Sequence, residues 1–342
     1  MAPKAFITGV AQEQLSADER AFLRAERPWG FILFKRNISE PAQVADLVKE
    51  MRACVGRDDA PVLIDQEGGR VQRLRPPHWP DYPRGQQFSD LYDIAPELGL
   101  RAAALSAQLI ACDLQDLGID VDCLPLADVV VEGADAVIGD RAYGTEPAKV
   151  AALARAVTEG LSRGGVLPVL KHIPGHGRAT ADSHLALPVV STPRAELKRT
   201  DFAAFTPLAD LPMAMTAHVV FSDVDPALPA TTSAIMIRDV IRGTIGFQGL
   251  LMSDDVSMNA LQGSLAERTE ALFAAGCDIA LHCNGQLDEM RQVASRTPEL
   301  SGAPKQRADA ALAWRKPAVA FDRAQGRTEL DELIGRLTTL TA

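Results

Sequence analysis

Apolar and polar positions form blocks along this chain: short apolar runs recur, and each tends to end in a polar or charged residue. Bounded apolar runs are typical of buried strands, and the segments between them have helical patterning. Regular alternation of strand and helix predicts parallel strands joined by crossover helices. Eight such runs occur, the number that a closed (β/α)8 barrel needs. The predicted strands are residues 5–10, 31–35, 62–65, 119–125, 166–171, 213–218, 250–254 and 278–282.

Helix start and stop signals fill the intervals between these runs. Ser264 and Glu267, for example, have the spacing of a capping box, and Gly276 is the matching stop. Predicted helices cover residues 39–54, 96–117, 145–164, 264–276, 288–295, 305–314 and 328–340. We interpret the last three as a barrel helix followed by C-terminal packing. The prediction is one domain over residues 1–342, a TIM-type (β/α)8 barrel with a C-terminal helical extension.

The interval between the third and fourth predicted strands is too long for a simple strand–helix unit. Residues 70–93 intervene there, with prolines at positions 76, 77, 80 and 83. Because proline fixes its own backbone and restricts the residue before it, this insertion is predicted to be a rigid loop over the mouth of the barrel.

Composition narrows the class of protein. The 342 residues are 47% hydrophobic, which is ample for a core, and the net charge is −10 with no basic run. Nucleic acid and anionic membrane surfaces are therefore not expected as partners. No apolar stretch approaches about 18 residues, and the N-terminus lacks the apolar centre of a secretory signal. We expect a soluble, cytoplasmic, monomeric protein.

The five cysteines are scattered, without CxxC spacing. They predict reduced core thiols rather than disulfides or a zinc site. No metal or other cofactor is expected.

The candidate chemistry is concentrated in residues 166–188, VLPVLKHIPGHGRATADSHLALP. An apolar strand ends there in Lys171 and His172, and a polar loop follows with His176, Asp182 and His184. Three of the chain's six histidines lie in this segment. Imidazoles titrate near neutrality and are the usual groups for acid–base catalysis, so the segment is predicted to form an active-site edge.

Other strand ends carry groups that would meet this segment, because the C-terminal ends of barrel strands form one mouth. They are Lys35, Asp65, Asp128, His218, Asp254, Asp255 and His282. Asp65 directly follows an apolar strand and needs a partner or ligand there. Asp254 and Asp255 are adjacent on one strand and point to opposite faces, so one of them is predicted to be structural. Glu67 and Arg70 beside Gly68–Gly69 suit either a surface ion pair or the site.

Three kinds of chemistry are compatible with these positions. A metal hydrolase would usually need an HxH pair on one strand, and the sequence has none. Lys171 could form a Schiff base, as in an aldolase. A carboxylate with a nearby imidazole could instead cleave a glycosidic bond. Position alone does not rank the last two.

Four segments then resemble one known family. KHIPGHGRATADSHLALP is similar to the KHFPGHG…DSH…LP signature of family 3 glycoside hydrolases, in their β-N-acetylglucosaminidase branch. IDQEGGRVQRL, VIGDRAYG and MSDDVSM resemble other motifs of that branch, in the same order. The resemblance spans about residues 31–258 and implies a (β/α)8 barrel. It points to the bacterial cytoplasmic enzymes that recycle cell-wall muropeptides. Ile173 stands where the family often has phenylalanine.

The resemblance assigns roles to individual residues. It places the catalytic nucleophile at Asp254 and the acid/base at His184, with Asp182 as the partner of that histidine. It places sugar binding at Asp65, Arg73, Arg141, Lys171 and His172. The implied activity is a retaining exo-β-N-acetylglucosaminidase that removes terminal GlcNAc from GlcNAc-1,6-anhydroMurNAc peptides through a covalent glycosyl-enzyme.

Alternatives stay open beside that reading. They are a β-N-acetylglucosaminide phosphorylase, a broader β-glycosidase, a Schiff-base aldolase using Lys171 and a non-catalytic sugar-binding barrel. Residues 178–183 are predicted to be mobile without ligand, because Gly175 and Gly177 precede them. His176 is expected to shape its loop, and His218 to line the mouth or satisfy a strand end. His78 and His282 are expected to be structural.

Overall fold

In the computed structural model, which describes residues 2–183 and 186–340, eight parallel strands close into a barrel. They follow one another around the barrel in chain order, and the first pairs with the last. The strands are β1 (Lys4–Thr8), β2 (Pro28–Leu33), β3 (Val62–Ile64), β4 (Val121–Asp122), β5 (Leu167–Ile173), β6 (Met213–Thr216), β7 (Leu250–Asp255) and β8 (Ile279–His282). The predicted (β/α)8 fold is confirmed.

Strand periodicity decides which side chains fill the barrel. In β5, Leu167 and Val169 belong to the interior cluster, whereas Leu170 packs outward with the surrounding helices. The same alternation in β7 places Leu250 and Met252 inside and Leu251 outside. Successive side chains of a strand point to opposite faces, so the barrel carries one apolar core inside and another between strands and helices.

Helices surround the barrel, and local signals explain several of their ends. The Ser264–Glu267 capping box is confirmed, with the Glu267 N–H 3.3 Å from Ser264 Oγ, and Gly276 ends that helix with a φ of +105°. The helices are α1 (Ala17–Glu26), α2 (Pro41–Val55), α3 (Gly85–Ile94), α4 (Pro96–Asp116), α5 (Pro147–Arg163), α6 (Arg194–Leu197), α7 (Asp201–Phe205), α8 (Leu265–Ala275), α9 (Leu287–Arg296), α10 (Gly302–Trp314) and α11 (Arg323–Leu340). Within residues 2–183 and 186–340, no helix is long and apolar enough to cross a membrane.

The C-terminal helices complete the barrel, as predicted. Ala308 and Ala311 of α10 join Trp29 and Leu250 in the interior cluster, so this helix seals the end at which the strands begin. α11 packs against α3 and α4, where Glu329 accepts two hydrogen bonds from Arg101 at 2.6 and 2.7 Å. The opposite end is left open for polar groups. That residues 1–342 form a single domain stays a prediction.

The prediction of a loop over residues 70–93 was wrong in part. The chain first makes an antiparallel hairpin, Gln66–Gly68 with Val71–Gln72, and then forms α3. Gly68 and Gly69 have φ values of +92° and +57°, so this tight turn favours glycine. The prolines all precede α3, and Phe88 and Leu91 of this helix are buried in the core. Its apolar spacing was the missed signal.

Other differences concern element ends. β4 has only two residues where seven were predicted, and β2 begins three residues earlier than predicted. α1 was missed although Ser16 and Glu19 form a capping box, and a π-helix at Met236–Ile245 was missed too. Strand pairing depends on neighbours that are distant in sequence, so element ends are the least readable from local pattern.

Candidate active site

Several predicted site residues meet at the mouth of the barrel. Asp65 follows β3, Lys171 lies on β5 and Asp254 lies on β7, each near the C-terminal end of its strand. Asp65 is bound on both oxygens: Lys171 Nζ donates to Oδ1 at 2.9 Å and Arg73 Nη2 to Oδ2 at 3.0 Å. Burial raises the pKa of Asp65, but the charges of Lys171 and Arg73 outweigh it and hold the pKa below its usual range.

Glu67 joins this cluster and was not among the predicted site residues. Its Oε1 is 2.6 Å from Lys171 Nζ, and Arg141 binds both of its oxygens at 2.8 Å. The side chain is only 4% exposed. Burial raises the pKa of Glu67, but Arg141 and Lys171 together lower it to about 2. Two cations predicted to bind sugar thus share one buried counter-ion.

The sequence was compatible with Glu67 either in a surface ion pair or in the site. The burial of its side chain favours the site. Arg70, its alternative partner, is instead exposed and bonds Asp140 and the carbonyls of residues 136–138. The available signal was spacing, because Glu67 is two residues after Asp65, and residues two apart in an extended chain share a face.

The environment of Lys171 bears on the Schiff-base alternative. Burial lowers the pKa of this amine, but Asp65 and Glu67 outweigh burial and leave the pKa above its usual value. The side chain is 2% exposed and lies between two carboxylates. A lysine nucleophile must be deprotonated to attack a carbonyl. The arrangement favours a permanent cation that donates hydrogen bonds.

His172 is fixed by a buried aspartate. Asp128 Oδ2 lies 2.7 Å from His172 Nδ1, and Asp128 Oδ1 accepts the backbone N–H of His176 at 2.6 Å. Burial raises the pKa of Asp128, but His172 lowers it to about 2, so the carboxylate stays ionised. Asp128 therefore orients the ring of a predicted sugar-binding residue. It was noted at a strand end but not assigned to the site.

Asp254 and Asp255 have different surroundings. The register of β7 against β8 shifts between Met252 and Asp255, so strand alternation does not assign a face to either aspartate, and their contacts distinguish them. Asp255 accepts backbone N–H groups from Ser257 and Cys283 at 3.0 and 3.1 Å, and its other oxygen accepts the Ser257 hydroxyl at 2.6 Å. These contacts hold the Asp255 carboxylate within the fold; that Asp255 is the structural member of the pair stays a prediction.

Two histidines lie within the electrostatic reach of Asp254. Burial lowers the pKa of His218, and the charge of Asp254 opposes that fall. Burial likewise lowers the pKa of His176, to about 4, against Asp128 and Asp254. His218 is wholly buried, and its ring nitrogens lie 2.7 Å from Thr231 Oγ1 and 3.0 Å from the Asp255 carbonyl oxygen. His218 is thus satisfied within the fold, one of the two roles predicted for it.

The loop after β5 carries the remaining predicted residues. Asp182 is half-buried, and its carbonyl accepts the Ala186 N–H at 3.0 Å. His184 lies outside the described residues. At the base of the loop, Arg178 donates to Asp201 Oδ2 at 2.6 Å. The mobility of residues 178–183 stays a prediction.

Comparison with known proteins assigns the family. The model of the glycosyl hydrolase family 3 N-terminal domain matches residues 7–313. The chain belongs to glycosyl hydrolase family 3. It is 40% identical over 275 residues to a β-hexosaminidase of Methylococcus capsulatus, covering 79% of this chain and 80% of that protein. The predicted family and the prediction of a glycoside hydrolase are confirmed.

Solved structures of the family share the whole fold. NagZ from Neisseria gonorrhoeae, in complex with N-trifluoroacetyl-D-glucosamine, superposes with a TM-score of 0.86 at 29% identity and covers 98% of both chains. A family 3 β-N-acetylglucosaminidase from Paenibacillus sp. str. FPU-7 gives a TM-score of 0.84 at 28% identity. That similarity covers 96% of this chain and 66% of the longer Paenibacillus chain.

Proposed function

We propose that this glycoside hydrolase is a retaining exo-β-N-acetylglucosaminidase that removes terminal GlcNAc from muropeptide fragments. The observation that carries the proposal is the cluster of buried ion pairs at the mouth, which brings Asp65, Arg73, Arg141 and Lys171 together. The complex of the Neisseria NagZ with N-trifluoroacetyl-D-glucosamine supports an acetamido sugar as the ligand. The muropeptide part rests on the motif resemblance.

The cluster suits a sugar held in one orientation. Charged donors and acceptors make the stronger hydrogen bonds to hydroxyl groups, and ion pairs hold these side chains in place before substrate arrives. Lys171 has one further proton to donate beyond those shared with Asp65 and Glu67, and Asp65 has further lone pairs to accept with. His172, held by Asp128, offers its second ring nitrogen. Together they would keep the pyranose ring in place while it distorts.

Asp254 is proposed as the nucleophile. One carboxylate oxygen attacks the anomeric carbon as the bond from that carbon to the leaving oxygen breaks, and a covalent glycosyl-enzyme results. His184 donates a proton to the leaving oxygen in this step. It then takes a proton from the water that attacks the intermediate, which releases the sugar with its configuration retained.

Asp182 is proposed as the partner of His184, since a carboxylate can fix the tautomer of an imidazole and stabilise the imidazolium needed in the first step. A histidine in place of the usual second carboxylate also removes like-charge repulsion toward an anionic acceptor. Phosphorolysis is therefore the second candidate function, and phosphate is the reagent that separates it from hydrolysis.

The test is release of nitrophenol from the β-N-acetylglucosaminide and the β-glucoside, each with and without phosphate. We expect turnover of the acetamido sugar alone, indifferent to phosphate, with the β-anomer of GlcNAc formed first in the NMR spectrum. Phosphate-dependent formation of sugar 1-phosphate would instead establish the phosphorylase. Equal turnover of both sugars would establish the broader β-glycosidase, and no turnover of either would contradict the proposal.

The muropeptide part needs its own measurement. We expect the enzyme to release GlcNAc from GlcNAc-1,6-anhydroMurNAc peptides. Chromatography of the products measures this release. Chitobiose is the control, because it has the same terminal sugar without the anhydro sugar and peptide. Cleavage of chitobiose with no cleavage of the muropeptide would contradict this substrate and leave the acetamido specificity intact. A cytoplasmic location and a monomeric state stay predictions.

A further inference from the structure

Ser183 makes two contacts that the mechanism above does not use. Its hydroxyl oxygen is 3.0 Å from His176 Nε2, and its carbonyl accepts the Ala260 N–H at 3.3 Å. Ser183 and His176 are 2% and 3% exposed, so both contacts are shielded from water. The residue that lies between Asp182 and His184 in sequence is thus tied to the loop after β5 and to the loop after β7.

His176 is itself held by the sugar-binding side. Its backbone N–H donates to Asp128, the same carboxylate that holds His172, and the two imidazole rings meet edge to face with centroids 5.8 Å apart. A Cβ at Gly177 would lie 2.0 Å from the Val129 carbonyl oxygen, so the chain beside His176 approaches that loop as only glycine allows. The backbone therefore fixes where this ring points.

The ring is a neutral hydrogen-bonding group at ordinary pH. Burial and the neighbouring His172 lower its pKa to about 4. A neutral imidazole has one donor and one acceptor nitrogen, so Nε2 pairs with the Ser183 hydroxyl in either tautomer. Among the described residues, Nδ1 has no hydrogen-bond partner. The bond to Ser183 is thus the side-chain contact that secures this buried ring.

We propose that His176 and Ser183 are positioning residues for the acid/base step of the proposed glycosidase. Consecutive Cα atoms are only about 3.8 Å apart, so holding Ser183 by its hydroxyl and its carbonyl restrains its neighbour Asp182, the proposed partner of the acid/base. A misplacement of about 1 Å can cost a hundredfold in rate. The inference rests on the proposed function and adds two residues that touch no reacting atom.

Leaving-group dependence tests this role. A dinitrophenolate leaves without a proton, whereas a phenolate needs one from the general acid. We compare kcat/KM for dinitrophenyl and phenyl β-N-acetylglucosaminides in wild type, Ser183→Ala and His176→Phe. The ratio of the two values within one preparation does not depend on the fraction of active enzyme. Ser183→Thr, which keeps the hydroxyl, is the conservative variant, and Ser106→Ala, a buried serine of α4, is the control.

We expect Ser183→Ala and His176→Phe to lose about a hundredfold on the phenyl substrate and less than about threefold on the dinitrophenyl substrate. Ser183→Thr and Ser106→Ala should keep the wild-type ratio. The double variant should lose no more activity on the phenyl substrate than either single variant, because both substitutions remove the same contact. Azide, a nucleophile that needs no general base, should raise kcat of the two variants on the dinitrophenyl substrate.

Equal losses on both substrates, with no azide effect, would overturn the inference and leave the two residues a structural role. A wild-type ratio in both variants would also overturn it. Neither result affects the proposed function, because the wild type still turns over. No turnover by the wild type on either substrate would overturn the proposed function, and this inference with it.

Discussion

The two sides of the barrel mouth are built differently. On the side of β3 and β5, the candidate sugar-binding groups Asp65, Arg73, Arg141 and Lys171 lie in one ion-pair network closed by Glu67. On the side of β7 and Ser183, the contacts include hydrogen bonds to backbone and hydroxyl groups, as at Asp255 and Ser183, and the ion pair of Arg178 with Asp201 lies at the base of the loop. Fixed charge is suited to holding a substrate, and a less charged setting leaves the reacting groups free to change charge.

The strongest test of this contrast replaces Asp254 by Asn. We expect kcat to fall by at least about a thousandfold with little change in KM, because only the covalent step loses its proposed nucleophile. Steady-state kinetics on the nitrophenyl β-N-acetylglucosaminide measure both constants. Asp255→Asn is the matched control. Its main effect should be a lower thermal midpoint, with a smaller effect on kcat. The opposite pattern in the two variants would move the nucleophile to Asp255.

Lys171→Ala tests the ion-pair network on the side of β3 and β5. We expect KM to rise by about a hundredfold, because the proposed donor to the sugar is lost and Asp65 and Glu67 lose their shared cation. The same kinetic assay measures KM, and a melting curve measures stability. Lys149→Ala, which removes an ion pair with Asp93 away from the mouth, is the control. Unchanged KM and kcat would remove Lys171 from the site.

Glu67→Gln tests whether the network needs its central counter-ion. Removing one partner of a buried ion pair costs about 3–5 kcal/mol of unfolding free energy, since the remaining charges stay buried. Denaturant unfolding should show that loss, and the KM should rise as Arg141 and Lys171 move. Glu270→Gln, whose carboxylate is exposed, is the control and should change neither quantity. A loss below about 1 kcal/mol would contradict a structural role for the pair.

The loss of folding stability at acid pH should distinguish Glu67→Gln from the wild type. The pKa of Glu67 lies at about 2 against an ordinary value of 4.5, so its ionised form stabilises the fold above about pH 4.5. That contribution is lost as pH falls from 4.5 through 2, because the unfolded chain binds the proton first. Glu67→Gln should therefore lose less unfolding free energy than the wild type between pH 4.5 and 2. Denaturant unfolding monitored by circular dichroism measures this difference. Parallel curves for the two proteins would contradict the network.

Phe34→Leu is the mildest change on the binding side. The Arg73 guanidinium lies 5.3 Å from the centroid of this ring, and exposed cation–π contacts contribute about 0.5–1 kcal/mol. KM should rise about two- to fivefold with kcat unchanged. Tyr92→Leu removes a similar contact with Lys149 away from the mouth, and KM should not change. A fall in kcat for Phe34→Leu would contradict a purely positional effect.

Local signals accounted for most of the fold. The eight strands, the C-terminal helices and the capping box at Ser264 followed from periodicity and end signals, which depend on neighbouring residues. α3 was missed because prolines before it masked the spacing of Phe88 and Leu91. The two-residue strand β4 was overestimated, since a strand extends only as far as its neighbours pair with it.

The sequence by itself determined the barrel, its family and the candidate residues at the ends of the strands. Only the tertiary structure decided which of them share partners: Lys171 meets Asp65 across 106 residues and Arg141 meets Glu67 across 74. Only it showed that Glu67 is buried, that Asp128 orients His172 and that Ser183 is tied to His176. The reason is that periodicity and caps act over a few residues, whereas burial and ion pairing depend on distances that exist only after the barrel closes.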